Sequence, residues 1–366
     1  MPIWMLYPRE RYGSYVDVHT LPSYRPLMPY IWQDTDWFDR RDIATPPFFT
    51  KAARVDVHTN TCGGWTVTRQ TLHTPHGDLT AEHRQDTENA AGATTEHFCK
   101  DIADLEKVLA IPYEPVDPDL SSFHSAARKL GDAGLMMANL TMPIGVAYGL
   151  THPETFAIWT LTERETLVRF TRAMFERTYR FLEQALEEGA GPVFFTIGSE
   201  FLAPPMGSPV AFDALVAPFD GPLIDLIHRF GGKVIVHHHG NINAILERIA
   251  DLGADAIQPI EEPPVGDCTM ADAKRRIGSR TKAARPSGGA VCIVGSVQYD
   301  DFARLTPDAM EDLVKRQISD AALGGGMILA PTAGPYAAHL TQRQQQNILR
   351  FIQAGRTWGR YPLSWL

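Results

Sequence analysis

Three consecutive histidines, His237, His238 and His239, stand in the segment KVIVHHHGN (233–241). The β-branched run before them and the Gly-Asn pair after them are typical of a strand that ends in a loop. Successive side chains of a strand point to opposite faces, so His237 and His239 share one direction and His238 takes the other. Two imidazoles spaced in this way can bind one metal ion.

A nearby carboxylate would complete such a metal site. Glu200 follows the apolar run 192–198 and is the candidate third ligand, with a possible catalytic role of its own. Glu261 ends the run 254–261 and is a candidate catalytic base or fourth ligand. Zinc accepts imidazole nitrogen and carboxylate oxygen. We therefore expect zinc at His237, His239 and Glu200, the alternative being histidines that only hydrogen-bond to polar neighbours.

Further polar side chains follow the later apolar runs. Gln298 and Tyr299 come directly after the run 291–297, and Thr332 and Tyr336 lie at and beyond the end of the last run. Loops at the carboxyl ends of barrel strands carry the active site in such folds. We expect Tyr299 to be catalytic and the other three side chains to contact a cofactor.

The elements that position these residues alternate between strand and helix. Short apolar runs bounded by Gly or Pro are separated by amphipathic helical segments, at 135–142, 192–198, 233–239, 254–261, 291–297 and 327–333. With a further strand near PIWML (2–6), this rhythm predicts a single (β/α)8 TIM-type barrel in one domain, residues 1–366. A doubly wound sheet is the alternative, but no glycine-rich phosphate-binding motif follows any run.

The N-terminal third contains a segment of different character. Residues 59–80, TNTCGGWTVTRQTLHTPHGDLT, are rich in Thr and alternate between apolar and polar side chains. This pattern predicts a small β-hairpin-rich insertion over residues 50–100. His73 and His76 are interpreted as turn residues of that insertion.

Composition limits the classes of partner. The chain has 366 residues, of which 44% are hydrophobic, and a formal charge of -9 without any Lys/Arg-rich run, so a nucleic-acid partner is not expected. No apolar stretch approaches the roughly 20 residues that a membrane helix needs. The opening residues lack the pattern of a signal peptide, and the four cysteines form no C-x-x-C motif. We expect a reduced, cytoplasmic protein.

The order of several segments resembles the uroporphyrinogen decarboxylase superfamily, most closely over residues 190–355. These segments are VIVHHHGNINAILERIADLGADAIQPIE (234–261), AKRRIG (273–278), VCIVGSVQ (291–298), LTPDAMEDLVKRQI (305–318) and GGMILAPTAG (325–334). Near the N-terminus, MPIWMLYPRERYGSY (1–15) resembles the arginine-bearing opening motif of that family. TLHTPHGDLT (71–80) resembles the T-P-x-G-x-L segment of its methyltransferase-like members.

The resemblance implies a (β/α)8 barrel and one of two chemistries. True uroporphyrinogen decarboxylases use no metal and hold a tetrapyrrole with arginines of the opening motif, which Arg9 and Arg11 match. Their aspartate motif and late Gly-His-Gly have no counterpart here. The zinc-dependent methyltransferases bind zinc through a His-x-Cys pair, a later cysteine and, in some members, a glutamate. They transfer methyl groups between corrinoids and thiols.

The residues of this chain match the zinc-dependent pattern in part. His237 matches the histidine, His239 replaces the first cysteine, and Glu200 matches the glutamate, while no thiol stands at Thr332 and Ala333. A His/His/carboxylate set makes zinc harder and more Lewis-acidic than a thiolate set does. The resemblance therefore implies methyl transfer from an oxygen-bound donor, such as a methoxy compound.

We accordingly expect a zinc-dependent methyltransferase-like enzyme that moves a methyl group between a small methylated substrate and a corrinoid or another acceptor. Cobalamin, free or on a separate corrinoid protein, would be the co-substrate, and the chain would be a monomer or homodimer. The first alternative is a metal-free decarboxylase of uroporphyrinogen or a related carboxylated ring, bound by Arg9 and Arg11. The second is a non-catalytic tetrapyrrole-binding barrel.

Overall fold

A computed structural model describes residues 1–10, 16–43, 45–88, 92–279 and 290–365. Within these ranges the strands form a seven-stranded parallel sheet, in the order β1-β6-β7-β8-β9-β10-β11, and a four-stranded antiparallel sheet, in the order β2-β3-β4-β5. The strands are β1 (Trp37–Asp42), β2 (Arg54–Cys62), β3 (Trp65–His73), β4 (Leu79–Asp86), β5 (Gly92–Glu96), β6 (Gly134–Thr141), β7 (Val193–Ile197), β8 (Lys233–His237), β9 (Ala256–Gln258), β10 (Cys292–Val297) and β11 (Met327–Pro331).

Helices connect the parallel strands and cover the outer face of their sheet. They are α1 (Met28–Asp34), α2 (Ala103–Leu109), α3 (Ser121–Leu130), α4 (Pro143–Leu150), α5 (Pro153–Thr162), α6 (Arg164–Glu187), α7 (Pro209–Leu215), α8 (Ala217–Arg229), α9 (Leu246–Asp251), α10 (Met270–Ile277), α11 (Asp301–Arg304), α12 (Pro307–Ala321) and α13 (Gln342–Trp358). None of these helices is long and apolar enough to cross a membrane.

The parallel sheet is curled, and both of its outer strands approach the N-terminal segment. Trp4 donates its backbone N–H to Leu329 of β11 at 2.8 Å, and Ile3 forms an isolated parallel bridge with the same residue. On the other side, the N–H of Asp36, just before β1, donates to the carbonyl of Ile3 at 2.8 Å. The predicted α/β fold is confirmed as a curled parallel sheet, and the predicted strand near residues 2–6 lies between its two ends.

Side chains on the two faces of the curled sheet belong to two separate apolar clusters. The outer-face side chains join the large core under the helices. The concave face packs a second cluster formed by Trp4, Leu6, Met137, Val193, Phe195, Ile235, Ala256, Val294 and Ala330. Because alternate residues face the same way, His237 follows Ile235 onto the concave side.

Strand β1, WFDRRD, was not among the strands expected from the sequence. Four of its six residues are Asp or Arg, so it shows none of the apolar continuity that marks the other parallel strands. On its outer side, Asp39 and Arg41 are buried together and form an ion pair at 3.2 Å. That ion pair makes it possible to bury charged side chains in this strand. Because side chains alternate along a strand, Arg40 lies on the opposite, concave side.

The four-stranded antiparallel sheet lies within the range 50–100 that the sequence assigns to a hairpin-rich insertion. Leu72 and Leu79 anchor its base and are buried. Most of β2 and all of β5 are exposed on both faces. The sheet therefore projects from the body of the protein.

Candidate active site

His237 ends β8 on the concave side of the sheet. Its Nδ1 lies 2.6 Å from the side-chain carbonyl oxygen of Gln258, the last residue of the neighbouring strand β9. A carbonyl oxygen only accepts, so the imidazole carries its proton on Nδ1 and keeps Nε2 as an acceptor. Burial, followed by the proximity of His239, holds the pKa of His237 well below its ordinary value. The ring is therefore neutral at physiological pH.

His239 lies beside His237 and is held by a carboxylate. The two ring centroids are 4.5 Å apart and the rings are perpendicular. Nδ1 of His239 lies 3.2 Å from Oε2 of Glu261, which is buried and also accepts the backbone N–H of Gly240 at 2.7 Å. Glu261 thus fixes both the turn after the strand and the orientation of the second imidazole. The predicted role of Glu261 as a base or fourth ligand stays a prediction.

His238 points away from the other two histidines. It is fully buried, and its ring centroid lies 5.9 Å from that of Phe212 on α7. Neither of its ring nitrogens has a hydrogen-bond partner among the described residues. The alternation of side chains along the strand is as the sequence predicted.

Burial lowers the pKa of His238 from 6.5 to about 3, which predicts a pH-dependent stability. Above pH 6.5 the ring is neutral in the folded and unfolded chains. Below it, the unfolded chain binds a proton that the folded chain excludes, so the free energy of unfolding should fall by about 1.4 kcal/mol per pH unit for this residue. Urea unfolding of chelator-treated wild type and His238→Leu between pH 5 and 7.5 measures this, and equal slopes would contradict it.

Glu200 follows β7 in a short 3-10 turn, Ser199–Leu202. Its carboxylate accepts the backbone N–H of Gly198. Gly198 has φ 111° and a Cβ there would lie 2.8 Å from the Cα of Gly145 in α4, so the turn requires glycine. Burial raises the pKa of Glu200, and the charge of His239 opposes that rise. Because β7 and β8 are neighbouring parallel strands, Glu200 lies at the same end of the sheet as the histidines.

A second buried carboxyl group, Asp220 on α8, supports this turn. The Ser199 hydroxyl donates to its Oδ2. Burial raises the pKa of Asp220 to about 8, with a smaller contribution from the charge of Glu200. Nothing in the sequence marks Asp220 as a site residue, because it lies within a helix far from any strand end.

The predicted metal ligands are brought to one region, but not into a complete cage. Among the residues that the structure describes, no three His, Cys, Asp or Glu side chains are grouped so that they could hold a metal ion. The two histidines are adjacent, whereas the Glu200 carboxylate is turned toward the backbone of its own loop.

Arg40 of β1 is a polar residue of this region that the sequence did not identify. Its guanidinium carbon lies 4.4 Å from the ring centroid of Phe195, and the ring centroid of His237 lies 5.1 Å from the same phenyl ring. The charge of Arg40 contributes to the lowered pKa of His237. Close by, Asn139 donates to Asp42 at 2.7 Å. The alternation of WFDRRD would have placed Arg40 here, had β1 been recognised as a strand.

Gln298 and Glu262 lie in a different environment from the histidines. The Gln298 amide donates to the backbone carbonyl of Glu262 at 2.6 Å, and the Glu262 carboxylate accepts both terminal nitrogens of Arg316 at 3.1 and 2.8 Å. They border a cavity of about 390 Å3 that Ser296 and Gln317 also line and that no predicted metal ligand lines. Thr332 is buried and donates its backbone N–H to Val297 at 2.9 Å.

Tyr299 and Tyr336 belong to a cluster of tyrosines. Their ring centroids are 4.7 Å apart, and the Tyr299 hydroxyl lies 3.5 Å from that of Tyr24. Burial raises the pKa of Tyr299. The Tyr336 hydroxyl donates to Asp300 at 2.6 Å, and its pKa is raised to about 12 by burial and by that carboxylate.

Of the two arginines of the opening motif, the structure describes only Arg9. The guanidinium of Arg9 lies 5.5 Å from the ring centroid of Trp37, and Arg11 lies outside the described residues.

His73, which the sequence analysis interprets as a turn residue, lies 2.9 Å from Asp56 and 3.0 Å from Asp78 in the projecting antiparallel sheet. Both aspartates belong to the insertion.

A curled parallel sheet, with ionisable residues gathered where its strands end, defines an α/β protein of the kind that carries its site at the carboxyl ends of the strands. The model of the uroporphyrinogen decarboxylase (URO-D) family matches residues 86–358, and the chain belongs to this family. No curated protein sequence matches the chain.

Two solved structures show the extent of the likeness in fold. A methyltransferase from Methanosarcina mazei superposes with a TM-score of 0.57 at 16% identity, over 98% of this chain and 94% of that chain. A xylose isomerase-like TIM barrel protein from Mycobacterium smegmatis, solved in complex with magnesium, gives a TM-score of 0.30 at 12% identity, over 69% and 87% of the two chains. The first likeness supports the fold over the full length.

Proposed function

We propose that this protein is a methyltransferase-like enzyme that moves a methyl group between a small methylated substrate and a corrinoid or another acceptor. The observation that carries the proposal is the pair His237 and His239, whose Nδ1 atoms face Gln258 and Glu261. Histidines that bind a metal characteristically give their other nitrogen to a carbonyl or carboxylate, and both rings here follow that rule. The fold of the Methanosarcina methyltransferase adds support.

Zinc is the proposed cofactor because the donors suit it chemically. His237 is neutral because its pKa is lowered, and a neutral imidazole is the form that binds metal. His239 offers the second nitrogen, and Glu200 would be the third ligand once its carboxylate turns away from Gly198. When bound, zinc would supply a Lewis acid that polarises a substrate oxygen.

The residues around these ligands have separate proposed roles. Glu200 has a raised pKa, so it holds a proton more readily than an exposed glutamate does and would release it on meeting a cation. Arg40 provides positive charge beside His237 for a substrate with an anionic group. Glu261 would orient His239, and its role as a base stays a prediction. Roles for Tyr299, Gln298, Thr332, Tyr336, Arg9 and Arg11 stay predictions.

We also infer that the N-terminal segment completes the (β/α)8 barrel of the family. Its backbone forms hydrogen bonds with Leu329 of β11 on one side and with Asp36, the residue before β1, on the other. Trp4 and Leu6 pack with the concave-face side chains of β6 to β11. Ile3 therefore occupies the position of an eighth strand between the two outer strands of the sheet.

Metal analysis and a methyl-transfer assay together test the proposed function. Protein purified without an affinity tag, before and after chelator treatment, should contain about one zinc per chain that the chelator removes. The zinc-loaded protein should methylate reduced cobalamin from a methoxy donor, which the cobalamin absorbance reports. Metal-free protein that instead decarboxylates uroporphyrinogen, with loss of activity in Arg9→Ala, would overturn the proposal in favour of the metal-free alternative.

Glu261→Gln is expected to weaken zinc binding without removing it. The amide keeps an oxygen acceptor for Nδ1 of His239 and for the N–H of Gly240, but it lacks the negative charge that increases the basicity of the ring. Loss of such a partner typically lowers metal affinity 10- to 100-fold. Competition with a chromophoric chelator measures the change. An unchanged affinity would show that Glu261 only stabilises the turn.

A further inference from the structure

The projecting sheet, defined as β2 to β5, has one long outer strand with an unpaired side. β2 runs for nine residues from Arg54 to Cys62 and pairs only with β3. Among the described residues, no hydrogen bond joins the backbone of β2 to any other element. Its outward N–H and C=O groups are therefore available to another strand.

β2 lacks the features that usually protect such an edge. Free edges are commonly blocked by proline, by charged side chains or by shortness. The outer part of β2, Val57–Cys62, carries no proline and no Asp, Glu, Lys or Arg. The opposite edge differs, since β5 spans five residues and its Glu96 pairs with Lys100 at 2.8 Å. The β5 edge is therefore short and carries a charge at its end, whereas β2 offers a longer edge with an uncharged outer part.

The sequence of β2 is compatible with pairing to a second copy of itself. An antiparallel pair related by a twofold axis through His58 would overlap all nine residues. Val57 would then face Thr59 of the other copy, Asp56 would face Asn60, and Arg54 would face Cys62. No two like charges would be opposed, and β-branched pairs would flank the axis, as stable cross-strand pairs require.

The distribution of charge also favours a second copy of this chain. The chain carries a formal charge of -9, so two copies repel one another overall. The outer part of β2 contains none of that charge, and Val57 is 54% exposed. Two copies can therefore approach along this edge with little repulsion.

We propose that β2 is a dimerisation edge, at which two chains join their projecting sheets into one continuous eight-stranded sheet. The interface is isologous, because the same strand serves on both sides of the twofold axis. This inference does not depend on the proposed methyl transfer.

Light scattering after size exclusion tests the edge directly. Wild type at tens of micromolar should elute with twice the mass of the 40.6 kDa chain. Val57→Lys/Thr59→Lys places lysines opposite one another across the axis and should give the monomer. Thr94→Lys, a matched exposed position on the shorter edge strand β5, should remain dimeric. A monomeric wild type, or a dimer that survives the double substitution, would overturn the proposal.

Cross-linking tests the register. In a Cys62→Ser background, His58→Cys places two thiols opposite one another on the axis, and air oxidation should give a disulfide-linked dimer on a non-reducing gel. Thr94→Cys in the same background is the control for random collision and should remain uncross-linked. Equal yields at both positions would exclude the proposed pairing, even if the protein were dimeric.

Discussion

Replacement of His239 by alanine is expected to reduce bound zinc from about one ion per chain to a trace, with at least a 100-fold loss of affinity. This side chain is 43% exposed, so its removal leaves no cavity in the core. What it removes is one of two adjacent imidazoles and the ring that Glu261 orients. Loss of a ligand should exceed the 10- to 100-fold effect typical of losing a residue that only orients one.

The matched control is the neighbouring histidine. His238→Leu substitutes an apolar side chain where the ring contacts Phe212 and has no polar partner among the described residues. This variant should retain zinc and unfold at the same temperature as wild type or higher, since a buried polar group without partners costs stability. Elemental analysis and thermal unfolding of both variants decide the matter. Equal zinc loss in the two would refute the assignment of opposite directions along β8.

The sequence was sufficient to locate most of the parallel strands. Strands such as β7 and β8 are buried on both faces and therefore appear in the sequence as continuous apolar runs. The alternation of side chains along a strand also predicted that His237 and His238 point in opposite directions. Apart from β6, which spans eight residues as predicted, the observed strands are shorter than the predicted runs, because residues such as His239 already belong to the loops.

Three features of the structure depend on contacts between distant segments, and the sequence did not predict them. The charged composition of β1 is untypical of a buried strand, and only the ion pair between Asp39 and Arg41 makes its burial possible. Because the sequence did not predict this strand, it did not predict the position of Arg40 either. Nothing in the sequence distinguishes Gln258 from other strand residues, although its amide oxygen lies 2.6 Å from Nδ1 of His237 in the folded chain. The position of Gln298 was also unforeseen, since it follows β10 yet hydrogen-bonds to the backbone of Glu262 and borders a separate cavity.

Phe195→Ala is expected to lower the free energy of unfolding by about 3–5 kcal/mol, the range for truncating a buried phenylalanine. The ring is fully buried on the concave face and contacts Trp4 edge-on, with centroids 6.2 Å apart. It also supports the site, because the Arg40 guanidinium lies over it and His237 packs against it. One substitution should therefore damage stability and the site together.

Urea unfolding measures the first effect, as a lower midpoint at an unchanged slope. The second effect is visible in the titration of His237 by NMR in chelator-treated protein. Burial is the largest cause of its lowered pKa, so water admitted by the truncation should raise that pKa toward the ordinary value. Phe195→Leu keeps most of the volume and should shift both quantities much less. A destabilised Phe195→Ala with an unshifted His237 would mean that the phenyl ring packs the core without shielding the site.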